Sequence, residues 1–294
     1  MKTKIWGCIL GAVMFASALQ SCQTQVEIPD GAVYPILFGS TESRAVAGLD
    51  QIKSGGFKVY AYFEGNKGNS TFEKNVRFED PYWKYDNIEY WIPNTNYWFK
   101  AVYPGNAAVV DNNNNDQTLT IADYDIQSQT DVMVATATAS VAENATAPTS
   151  GSVVNLTFEH LLANVVVKIK AEVNVTINDM AIKYVPVNCD YANGFWTERS
   201  QGNIEKTNIN AKLSPGANPA EIGFLVIPQT VNGEQKLHIK TSDKTYDIAI
   251  PATTWNAGTK YTYTLTIKQN DILFDEPTVE EWDEESAVGS VVIK

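Results

Sequence analysis

Residues 261–268 read YTYTLTIK, and their alternation decides the fold class. Tyr261, Tyr263, Leu265 and Ile267 fall on one side of an extended chain, and Thr262, Thr264, Thr266 and Lys268 on the other. Period-two alternation of aromatic and β-branched residues is the pattern of a strand with one buried face. Upstream the habit repeats. Residues 236–240 and 246–250 read as a hairpin, and 222–227 as an apolar strand stopped by Pro228. Val154, Leu156, Phe158 and His160 share one face. Val165, Val167 and Ile169, alternating with Lys168 and Lys170, read as the hairpin partner of that strand.

Closer to the N-terminus, GFKVYAYF at 56–63 follows a Gly-Gly break. Residues 76–78, 83–85, 90–91 and 97–103 are further strands, set between turn residues such as Asp86-Asn87 and Pro104-Gly105. Residues 136–150, rich in Ala, Thr and Ser, read as a linker. Beyond residue 21 no stretch holds a helical apolar period over ten or more positions. The expectation is an all-β chain with two β-sandwich domains in tandem, 46–171 and 172–294. A chain of 294 residues is long enough for two such cores.

Charge narrows the partners. The chain carries 22 basic and 34 acidic residues, a net −12. That excludes a nucleic-acid partner, which needs a basic face, and electrostatic docking on anionic lipid.

The N-terminus is an address. Lys2 and Lys4 precede an apolar run, 5–19, too short to span a membrane, so residues 1–21 read as a signal peptide. The run ends in Ala18-Leu19-Gln20-Ser21-Cys22, which resembles a bacterial lipoprotein box. That resemblance implies cleavage before Cys22 and a diacylglycerol on its thiol. Gln23, where an aspartate would mark inner-membrane retention, points to the outer membrane. Loss of Lys2 and Lys4 leaves 20 basic against 34 acidic residues, a net −14. Cys8 leaves with the signal, so Cys189 has no partner for an intramolecular disulfide and reads as a buried small apolar residue.

Between signal and body lies VYPILFGSTESRA at 33–45. Val33, Tyr34, Ile36, Leu37 and Phe38 form a short apolar run, followed by small polar residues and Ser43-Arg44-Ala45. This reads as one strand on a leash, with a single basic residue where the leash could be cut. A strand that can leave its own fold leaves a slot for another molecule. The pro-segment is therefore 22–45.

Catalytic chemistry finds no support. His238 lies between Lys236 and Lys240 on an outward face, and His160 ends an apolar series as a core or sheet-end hydrogen bonder. Neither has ligands at zinc spacing or a nucleophile beside it. Asp111 to Asp116 fails as a calcium loop, since the glycine position is Asp116 and the bidentate position is Ala122. Glu280, Glu281, Asp283, Glu284 and Glu285 read as an exposed, self-repelling segment. No enzyme, cofactor or metal is expected. The aromatic group Tyr82, Trp83, Tyr85, Tyr90, Trp91, Tyr97 and Trp98 reads as strand and core material. It also leaves open the alternative of a surface glycan-binding lipoprotein that stacks sugars on these rings.

The order of landmarks resembles the fimbrillin family, the pilins of type V pili on gut and oral anaerobes. The matching pieces are the box at Cys22, Ile36-Leu37-Phe38 with Ser43-Arg44-Ala45, residues 56–62, Trp83-Lys84-Tyr85 with Tyr90-Trp91, and FKAVYP at 99–104. LTFEHLLA at 156–163, PATTWNAGTKY at 251–261 and VEEW at 279–282 complete them. The resemblance implies two transthyretin-like β-sandwich domains and a lipoprotein precursor. It further implies an arginine-specific protease that cuts after Arg44, leaving Ala45 as the new N-terminus. The groove vacated by residues 33–38 would accept a strand from another fimbrillin subunit, with Val291, Val292 and Ile293 as candidate donor or adjoining residues.

Overall fold

Alternating segments become strands almost wherever they occur. The computed structural model describes residues 34–42, 46–63, 72–106, 109–112, 118–269, 271–275 and 277–282. In chain order the elements open with β1 (Leu37–Glu42), α1 (Val46–Gly55), β2 (Phe57–Phe63), β3 (Phe72–Glu79), β4 (Tyr82–Lys84) and β5 (Thr95–Tyr103). There follow β6 (Val109–Asn112), β7 (Thr118–Asp125), a 3-10 turn (Ile126–Ser128), β8 (Met133–Val141) and β9 (Val153–His160). The next are β10 (Ala163–Ala171), β11 (Val175–Ala192), β12 (Phe195–Lys206), β13 (Ala211–Leu213) and β14 (Ala220–Val226). Last come β15 (Gln229–Val231), β16 (Lys236–Thr241), β17 (Thr245–Ala249), β18 (Thr253–Trp255), β19 (Thr259–Ile267), β20 (Ile272–Phe274) and β21 (Thr278–Glu281).

The all-β expectation holds. One sheet runs β1-β9-β8-β5-β2-β3-β4. A second runs β14-β10-β19-β20, with β21 also on β19. The third runs β17-β16-β11-β7-β6, with β12 and β13 also on β11, and β15 pairs with β18.

Two hydrophobic clusters fill the spaces between these layers. The first contains Ile36, Phe38, Phe57, Val59, Trp91, Phe99, Leu156 and Phe158. The second contains Val165, Val167, Ile169, Ile177, Phe224, Trp255, Tyr261, Tyr263 and Leu265. Tyr60, Tyr62 and Val102 also belong to the second cluster, whereas their strand neighbours Val59, Ala61 and Ala101 belong to the first. The middle of the first sheet therefore has a core on each face, and β2 is buried along nearly its whole length rather than on one side.

Four sequence expectations change. β9 and β10 are not a hairpin: β9 lies beside β1 and β8, whereas β10 lies between β14 and β19. Both have a buried face, but the two-residue link Leu161-Leu162 carries the chain from one sheet to another. The linker expected at 136–150 is strand to Val141, because β8 extends the ladder with β5 as far as Val141 opposite Thr95. Residues 46–55, expected to hold no helix, form α1, which buries Ile52 and stops at Gly56. Gly56 sits at φ +64, and its N–H returns to the Ile52 carbonyl at 2.8 Å, a left-handed cap that favours glycine. Finally, a cut near Ala171 divides bonded partners, since β10 belongs to the sheet of β14 and β19, and β6 and β7 join the sheet of β11.

Candidate functional site

Residues 34–42 pair first with the segment that follows β4 and then form one edge of the first sheet. Along 34–36 the chain runs antiparallel to 89–91, just beyond β4. Ile36 N–H donates to the Glu89 carbonyl at 2.8 Å, Trp91 N–H donates to the Tyr34 carbonyl at 3.0 Å, and Pro35 bridges Tyr90. Leu37 then changes partner, its N–H donating to the Ser152 carbonyl at 3.0 Å. From there β1 runs parallel to β9, Leu37 opposite Val153 and Glu42 opposite Phe158. β9 meets β8 only at Met133↔His160 and Val134↔Glu159. Over 153–158 its ladder partner is β1, and parallel pairing is slightly the weaker kind per residue.

The side chains explain why the strand stays. Ile36 is fully buried and Phe38 nearly so. The Phe38 ring lies 5.4 Å from Tyr85 and 5.8 Å from Phe99. Each burial contributes about 1.5–3 kcal/mol. Tyr85 fastens the backbone: its hydroxyl donates to the Ile36 carbonyl at 2.6 Å and accepts from Glu89 N–H at 3.2 Å. Burial pushes that hydroxyl up to about 12. Trp91 lies beneath, fully buried, edge-on to Tyr97 at 4.9 Å and Phe99 at 5.9 Å. Among the described residues its indole N–H has no hydrogen-bond partner. Gly39 lets β1 approach β9 closely, since a Cβ there would meet Asn155 Oδ1 at 3.0 Å.

Of the expected strand-exchange residues, Ile36 and Phe38 face the core, Leu37 is half-buried and Tyr34 is 41% exposed. Val33, Cys22, Arg44, Ala45, Val291, Val292 and Ile293 lie outside the described residues. In sequence, Arg44 and Ala45 fall between the end of β1 and the start of α1. Tyr85 and Trp91, which hold the strand, were visible only as members of an aromatic group. That group does not present one face. Trp91 and Tyr97 are buried, Trp83 packs on Phe57 and Phe78, and Tyr90 alone of the seven is more than half exposed.

The other candidates are structural in their contacts. Cys189 is fully buried, and burial pushes its thiol up to about 11, which keeps it unreactive. His238 Nδ1 lies 2.9 Å from Asp247 on an outer face. Among the described residues no cluster of three or more His, Cys, Asp or Glu side chains is placed to hold a metal ion. Likewise, no described helix is long and apolar enough to cross a membrane.

Comparison with known proteins adds the following. Residues 43–282 match a family model described as fimbrillin-like. A crystal structure of a fimbrial protein from Bacteroides vulgatus is similar in fold, with 17% identity and a TM-score of 0.62. The match covers 84% of this chain and 99% of that one. A cell adhesion candidate from Bacteroides ovatus matches at 16% identity and a TM-score of 0.59, over 87% of this chain and 100% of that one. No curated protein matches.

Proposed function

This chain belongs to the fimbrillin-like family, and on that premise we propose that it is a structural subunit of a cell-surface pilus, in shaft or tip, serving adhesion. It reaches the outer membrane as a lipoprotein anchored through Cys22. An arginine-specific protease cuts after Arg44, Ala45 becomes the N-terminus, and the strand within 33–42 is released. Another fimbrillin subunit then supplies the replacement, with 291–293 as the candidate donor segment.

One observation carries the reading: residues 34–42 complete both the ladder and the core of the first sheet from its edge. Their departure strips β9 of its partner over 153–158 and uncovers Val154, Leu156, Phe158, Trp91 and Phe99. Unpaired edges and apolar grooves are costly, so the vacancy attracts a strand. A neighbour's strand restores both, and head-to-tail repetition gives an open filament.

The test uses the chain from residue 22 onward with Cys22→Ser, treated with an arginine-specific protease, then N-terminal sequencing and an unboiled gel. A new terminus at Ala45 with heat-sensitive oligomers is the expected result for a shaft subunit. Cleavage at Arg44 without oligomers indicates a tip or accessory subunit. Resistance at Arg44, or oligomers that form equally from Arg44→Ala, overturns the proposal.

A further inference from the structure

We propose that His160, Asp131 and Trp282 form a pH-gated clasp, closed while the His160 ring is protonated, that holds β21 at the junction of the two clusters. The proposal does not depend on strand exchange. His160 ends β9, and its Nδ1 lies 2.6 Å from Asp131 Oδ2, with both residues buried. The other Asp131 oxygen accepts the Val132 N–H at 2.8 Å. Against the imidazole lies the Trp282 indole, centroids 4.0 Å apart and planes 16° from parallel. Three segments distant in sequence thus meet at one ring.

The clasp matters because β21 buries little of its own surface. Thr278, Val279 and Glu281 are exposed and Glu280 only half-buried, so the strand contributes almost nothing to a core. Its attachments include the ladder with β19, the Trp282 N–H to the Gly258 carbonyl at 2.9 Å, the pairing of Glu280 with Lys260 at 4.0 Å, and the indole, which packs on the second cluster and on His160. An imidazolium between a carboxylate and an indole face gains from both. A neutral imidazole keeps a hydrogen bond to Asp131 and loses the charge that attracts the indole.

The surrounding groups leave the histidine as the titrating one. Tyr103 on β5 and Tyr124 on β7 feel the Asp131 carboxylate, and burial first, then that charge, raises both hydroxyls. Glu159 points to the opposite, exposed face of β9. On β21 Glu281 is exposed, and Glu280 lies 4.0 Å from Lys260 of β19. None of these groups ordinarily titrates near neutrality. The chain has two histidines, and the second, His238, is paired with Asp247 on the outer face of another sheet.

The experiment follows acrylamide quenching of Trp282 in the full mature chain, as wild type minus Trp282→Phe, from about pH 5 to 9. One histidine-type step is expected, with quencher access rising severalfold as pH rises. His160→Gln should show the high access at every pH, Asp131→Asn should move the step to lower pH, and His238→Gln should leave it in place. Access that ignores pH in the wild type, or a step that survives in His160→Gln, overturns the clasp. If His160→Gln does not fold, Asp131→Asn decides: an unmoved step overturns the proposal.

Discussion

β1 and β19 are both strands with buried aromatic or aliphatic residues, yet they are held in opposite ways. β19 has a parallel neighbour on one side, β10, and antiparallel neighbours on the other, β20 and β21. Tyr261, Tyr263, Leu265 and Ile267 are buried on one face, and Thr262 on the other is also buried. β1 has one ladder, to β9, and buries Phe38, while Ile36, just before the strand, is buried and bonded to Glu89. A strand bonded on both edges can leave only with its domain. A strand bonded on one edge can leave alone, and the difference lies in position rather than in hydrophobicity.

Mutations can break that comparison. The largest effect belongs to Trp255→Ala in the second cluster, where the buried indole donates to the Tyr263 hydroxyl at 3.1 Å. The expected loss is about 5 kcal/mol, read as a shift of the global urea transition. Phe38→Ala should cost about 3 kcal/mol, the lower end for such a change, since an edge strand can shift to close the gap. Its signature is local: faster hydrogen exchange in β1 and β9, with β19 still protected. Equal loosening of β19 would show that the two regions are one cooperative unit.

The smallest effect sharpens the comparison. Tyr85→Phe removes the hydroxyl that holds the Ile36 carbonyl and should cost about 1 kcal/mol. Because burial raises the Tyr85 pKa from 10.0 to about 12, the folded state favours the neutral hydroxyl. Its contribution is whole below pH 10.0 and is lost as pH climbs through about 12. The gap in stability between wild type and Tyr85→Phe should therefore shrink over that interval. A constant gap would mean that the hydroxyl does not fasten the strand.

Much of this was legible in the residues. Val154, Leu156, Phe158 and His160 were read as one face, and all four are buried. The 33–38 run was read as the strand, whereas the edge strand is 37–42 and reaches into the small polar residues that were read as the leash. Less legible was the helix 46–55, whose short apolar signal around Leu49 and Ile52 spans too few turns to stand out, although Gly55-Gly56 marked its end. The roles of Tyr85 and Trp91 could not be read, because composition does not tell which aromatic ring lies under which strand. Nor could the meeting of His160, Asp131 and Trp282, which are separated by long stretches of chain.

The sequence by itself determined that the chain is β, where most strands lie and which side of many is buried. Those properties are local: period two assigns a face from the residues of one segment. Only the tertiary structure decided which strands are neighbours, that β9 turns to β1 while β10 turns to β19, and that β2 has a core on each side. The reason is physical. Every strand edge offers the same N–H and C=O groups, so the ladder itself names no partner. Partners are selected by the packing of side chains from distant segments, and that selection exists only once the layers have assembled.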